Sequence, residues 1–139
     1  MGVPLTTGDP TLDRYGRHSH WLLRVAITAT FLYQGIDKFL GTGITGFASV
    51  MGLPVLIATL VALAEIGAGL LVILGAFLGG WITRLGAAMA VPVLLGAIFM
   101  EHWGQWHFMA TATHPLGGMQ FQVTLLLLAL YLMIRGNEV

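Results

Sequence analysis

PVLIATLVALAEIGAGLLVILGAFL, residues 54–78, is the stretch that decides the fold: an unbroken apolar run carrying a single charge, Glu65. About 20 consecutive apolar residues suffice to cross the hydrocarbon of a bilayer as helix, and this run exceeds that length. Glu65 is also the only charge between residues 39 and 83. It falls near the bilayer midplane, where a carboxylate is expensive and needs either a partner or a function.

Composition extends the same reading to the whole chain. Of 139 residues, 57% are hydrophobic and 9% charged, and the mean hydropathy is +0.86. A soluble domain of this size could not hide that much apolar surface, so the chain is predicted to be an integral membrane protein. Net charge is zero and no basic run occurs, which excludes nucleic acid as a partner. Cysteine is absent, which removes disulfides, thiolate nucleophiles, CxxC redox chemistry and cysteine-ligated iron–sulfur clusters.

Working outward, residues 1–18 form a polar N-terminal arm, read as extended from Asp9-Pro10 and its glycines and lying at the membrane surface, with no cleavable signal sequence. Residues 19–136 hold four apolar segments, at 21–39, 54–78, 83–101 and 119–134, and residues 137–139 form a tail. The predicted fold is an all-α membrane protein, an antiparallel bundle of four transmembrane helices with both termini on one side. Arg14, Arg17, Arg84 and Arg135, with Arg24 just inside, lie on the side of the termini, against Lys38 alone on the other. The positive-inside rule therefore places both termini in the cytoplasm and the loops at 41–53 and 102–117 outside.

Helical periodicity then sorts the polar residues onto faces. Arg24, Phe31, Gly35 and Lys38 share a stripe on the first helix, with Gln34 at its margin and Asp37 turned away. Ala58, Ala62, Glu65, Gly69 and Ala76 share one on the second, where small residues allow close approach of a neighbour. Gln120, Thr124, Leu127 and Tyr131 align on the fourth and are expected to face the interior. Glu65 lies about 16 Å along its helix from Pro54, and Arg24 about 21 Å from Lys38, at 1.5 Å per residue. If Lys38 and Pro54 mark the same depth, a long arginine covers the difference, giving a buried Arg24–Glu65 pair. A second polar group is expected at the outer mouth from Gln34, Lys38, Glu101, His102 and Gln120.

His102, His107 and His114 cluster in the last loop, as weak zinc or copper candidates, but their spacings of five and seven match no familiar metal motif. No histidine lies deep in an apolar segment, so a membrane haem held between facing helices is not expected.

Arg24, Gln34-Gly35-Ile36-Asp37-Lys38, Gly52-Leu53-Pro54, Glu65-Ile66-Gly67-Ala68-Gly69, Arg84 and Gly117-Gly118-Met119-Gln120, in that order, resemble the DoxX family over residues 21–135. The resemblance implies a small four-helix protein of a bacterial or archaeal cytoplasmic membrane, associated with redox complexes such as thiosulfate:quinone oxidoreductase. Two departures stand out: Gln120 replaces an acidic residue often found there, and the outer loop is rich in His and Trp. The expected role is a non-catalytic membrane subunit of an oxidoreductase complex, with no intrinsic redox cofactor, in contact with a quinone or lipid. Its partners would be the bilayer and other membrane or redox proteins, with a homo-oligomer left open. The alternative is a small-solute or proton pathway through the Arg24/Glu65 pair. The bland alternatives are a structural pair that sets helix register, an interfacial lysine anchor and interhelical glue at Gln120.

Overall fold

The computed structural model describes residues 8–138, all of them helix, turn or loop. The first seven residues of the arm and Val139 of the tail lie outside the described residues. Within the arm, the expected extended chain gives way to a short helix, α1, Pro10–Gly16. The reason is local: the Asp9 side chain accepts a hydrogen bond from Thr11 N at 2.8 Å, and Pro10 opens the helix where its missing N–H is harmless.

Four longer helices follow: α2, His20–Leu40; α4, Val55–Leu78; α5, Gly80–Ala97; and α6, Gln120–Arg135. Between α2 and α4 the loop holds α3, Ile44–Met51. Helix α5 runs through Pro92 and widens at its end into a π-helical turn, Ile98–His102. α4 and the stretch Gly80–His102 are long and apolar enough to cross a membrane, and α6 is a shorter apolar helix. α2 carries Arg24, Asp37 and Lys38 within the same length.

α4 packs between α2 and α5, α6 lies against α5, and α2 meets α6 along a narrower seam. A single residue, Gly79, joins α4 to α5 and reverses the chain at φ 142°, a conformation that glycine reaches without Cβ strain. The core is built from small and medium side chains, including Ala68, Ala87, Ala90 and Ala129 around Ile27, Phe31, Val72 and Leu132. Large apolar side chains point outward instead, with Leu56 70% and Phe77 74% exposed. Small residues inside and large ones outside is the packing that lipid permits and water penalises.

Gly35 sets the closeness of α2 to α4. A Cβ there would lie 2.9 Å from the Ala62 carbonyl oxygen and 3.0 Å from Ile66 N. Gly35 therefore faces the turn of α4 that carries Glu65. This contact, with Gly69 of α4 against Leu32 and Thr28, runs α2 past α4 in register such that Arg24 meets Val72.

The buried face of α6 consists of Leu125, Ala129 and Leu132. The face read as interior from Gln120, Thr124, Leu127 and Tyr131 is therefore a correction: Leu127 is 62% and Tyr131 45% exposed. Thr124 needs no interior partner, because its hydroxyl donates to Gln120 O in its own helix at 2.9 Å.

Candidate functional site

Two polar layers lie at opposite ends of the bundle. At the end bearing the termini, Arg24 is fully buried. Its Nη1 donates to Val72 O and to Thr83 Oγ1 at 2.9 Å, its Nη2 to Asn137 Oδ1 at 2.6 Å, and its Nε to His20 Nδ1 at 3.0 Å. Thr83 Oγ1 donates to Asn137 Oδ1 at 2.8 Å, and Asn137 Nδ2 donates to Gly75 O at 2.9 Å. The guanidinium is held by neutral acceptors from three helices and the C-terminal segment.

The predicted Arg24–Glu65 pair does not form. The expectation sets Lys38 level with Pro54, but Gly35 packs against Ala62 and Ile66, so α4 starts past the level of Lys38, with α3 in the connection. Arg24 accordingly meets Val72, seven residues further along α4 than Glu65, a separation of about 10 Å. A solute or proton path working by exchange between Arg24 and Glu65 has no geometry to support it.

Glu65 is instead paired with Lys38. The ammonium lies 3.1 Å from Oε1 and 2.8 Å from Oε2, with side-chain exposures of 16% for the lysine and 4% for the glutamate. Lys38 also reaches Gln34 O at 3.4 Å and lies 4.9 Å from the ring centre of Phe47 on α3. The short α3 helix thus covers the pair from the loop side.

This pair forms part of the wall of a cavity of about 310 Å³ at the end of the bundle away from the termini. Phe31, Tyr33, Met51, Val93, Leu94 and Leu125 contribute apolar wall, and Gln34, Asp37, Lys38, Glu65, Glu101, His102 and Gln122 the polar groups. The volume is at the lower end of the ~300–1,000 Å³ typical of small-molecule sites, and mostly apolar walls with few polar groups are their usual chemistry. The π-helical turn brings successive residues Glu101 and His102 to one cavity wall, in keeping with the frequent use of such turns at functional sites. His102 is 7% exposed, with Nδ1 2.8 Å from Gly117 O.

Of the expected outer-mouth residues, Gln34, Lys38, Glu101 and His102 line this cavity. Gln120 does not: it borders a separate shallow pocket with Phe108, Phe121 and Thr124. Two residues along α6, Gln122 takes the inward position, because burial of Leu125 and Ala129 turns its face to the core. Spacing against those two residues would have identified it. Asn137, assigned to the tail from sequence, and Thr83 were also missed; the positive φ of Gly136, 59°, which turns the chain back, is a three-dimensional fact. Lys38 and Glu65 each stand out in the sequence, but their spacing does not make them partners.

The loop histidines do not converge. His102 contacts Gly117 O, His107 lies near Gln105, and His114 Nε2 is 2.6 Å from Trp103 O. Among the described residues no group of three His, Cys, Asp or Glu side chains is placed to hold a metal ion.

Apolar helices with outward-facing leucines, a core of small residues and charges buried in two layers define a small helical membrane protein. The DoxX family model matches residues 20–103, α2 through the π-helical turn. The chain belongs to the DoxX family, whose membrane proteins are associated with redox-related functions. No curated protein and no solved structure matches it.

Proposed function

We propose that this protein is a non-catalytic membrane subunit of a redox complex, and that its cavity receives the ring of a quinone delivered from the bilayer. The observation that carries the reading is the position of the Lys38–Glu65 pair in the wall of an otherwise largely apolar cavity. A buried ion pair is a poor source of net stability, since its desolvation offsets much of its attraction. Within a membrane such groups tend to mark functional paths. The chain carries no cysteine, so in this reading redox chemistry belongs to the partner, and the lipid-soluble ligand needs no cofactor of this chain.

In this proposal all four long helices span a bacterial or archaeal cytoplasmic membrane, with α2 crossing despite its charges because Arg24 and the Lys38–Glu65 pair face protein. Both termini are cytoplasmic and the cavity opens near the outer leaflet, on the side of the loop at 102–117.

The test is extraction of the native assembly in mild detergent, with identification of the proteins and lipids that co-purify. A flavin-, haem- or iron–sulfur-bearing partner together with bound quinone is the expected result. Repeated purification of the chain alone, without quinone, overturns the proposal.

A further inference from the structure

The hydrogen-bonding groups around the cavity are unevenly used, and the imbalance bears on what can bind there. An ammonium has three protons to donate, and Lys38 has three acceptors within reach: Glu65 Oε1, Glu65 Oε2 and Gln34 O. The cavity's one cation is therefore satisfied by protein. His102 is similarly committed on one side: Gly117 O can only accept, so Nδ1 carries the proton of the neutral ring, at 2.8 Å. Its Nε2 is then a lone-pair acceptor.

The groups left over are mainly acceptors. Glu101 has neither hydrogen bond nor ion pair among the described residues, and Gln122 Oε1 is buried without a donor among them. The Gln34 and Gln122 amides can act both ways, and the Tyr33 hydroxyl can donate, so the excess over a balanced lining is supplied by Glu101, by Asp37, a second lining carboxylate without a side-chain partner among the described residues, and by His102 Nε2. A bound molecule that carries only acceptors would leave these groups desolvated and unpaired, and one that brings hydroxyl protons would satisfy them.

We infer that the cavity binds a hydroxylated aromatic ring, the hydroquinone form in preference to the quinone, with His102 Nε2 accepting one ring hydroxyl. This rests on the proposed function for the ring itself, and adds its hydrogen-bonding state and the residue that reads it. A site built to pair a hydroxyl discriminates strongly against the analogue that lacks it, because the site's own polar group is left unpaired.

The experiment uses the full chain in lipid nanodiscs under anaerobic conditions, titrated calorimetrically with trimethylhydroquinone, its 1,4-dimethyl ether and trimethylbenzoquinone. Wild-type protein should bind the hydroquinone about tenfold or more tighter than either analogue, the order expected when one buried acceptor is left unpaired. His102→Asn keeps an amide donor for Gly117 O and removes the group at the Nε2 position; in this variant the ratio of hydroquinone to quinone affinity should fall below about threefold. Should that variant fail to fold, ¹⁵N spectra of the wild type provide the second readout: hydroquinone must shift the His102 Nε2 resonance and leave Nδ1 protonated. Equal binding of hydroquinone and quinone, a wild-type preference in His102→Asn, or an unmoved Nε2 resonance overturns the inference and leaves the proposed function standing. Failure of all three ring compounds to bind overturns both. A hydroxyl preference in a protein that never co-purifies with a redox partner overturns the complex alone.

Discussion

Lys38 is 16% exposed and Glu65 4%, so removing either charge strands the other in a site with little water. Breaking one member of a buried pair typically costs ~3–5 kcal/mol; the partial exposure of Lys38 lowers the expected loss to about 2–4 kcal/mol for Glu65→Gln or Lys38→Met. Because both charges of the pair vanish in Lys38→Met/Glu65→Gln, the double variant should lose clearly less than the sum, as read from unfolding midpoints in mild detergent. The same measurement on Glu65→Gln and Arg24→Gln should give additive losses, since the two residues lie in different layers and share no partner. A coupling above about 0.5 kcal/mol between Arg24 and Glu65 would contradict the geometry. In the other layer, Asn137→Ala removes an acceptor for Arg24 and Thr83 and a donor to Gly75 O. A loss of about 1–3 kcal/mol is expected, the cost of leaving buried donors unpaired, and deletion of residues 137–139 should reproduce it.

At the scale of elements, the decisive contact is α2 on α4. Gly35→Leu would drive a side chain into the backbone of α4 at Ala62 and Ile66, and overpacking of this kind costs about 1–3 kcal/mol or separates the helices. Since Glu65 lies on that turn, the variant should also lengthen the Lys38–Glu65 contact. A cross-link between cysteines introduced at Leu32 and Gly69, which touch across the seam, would then form more slowly than in a Gly35 background carrying the same cysteines. Unchanged stability and unchanged cross-linking would show that α2 and α4 are not held by this contact. The α3 helix has its own role at this scale: it places Phe47 over the Lys38 ammonium and Met51 and Leu53 in the cavity wall.

For the whole molecule, the proposed topology puts the termini on the cytoplasmic side. A reporter fused after Val139 should be active only if it works in the cytoplasm, and one inserted at Ala112, in the loop before α6, only if it works outside; the reverse pattern in stable fusions refutes the orientation. Membrane character, the family resemblance and the positions of the long helices were legible in the sequence, because apolar run length and composition are one-dimensional and follow directly from the thickness of the hydrocarbon. So was the inward face of α2, where Arg24, Phe31 and Gly35 recur at helical spacing and are buried. The pairing of the buried charges was not, because a helix pattern carries direction around the axis but no register between helices. Arg24, Lys38 and Glu65 were each recognisable as interior residues. Which of them met was decided by the Gly35 contact, by the length of chain that folds into α3, and by Gly136 returning Asn137 to the bundle, all of which depend on how the helices slide against one another when packed.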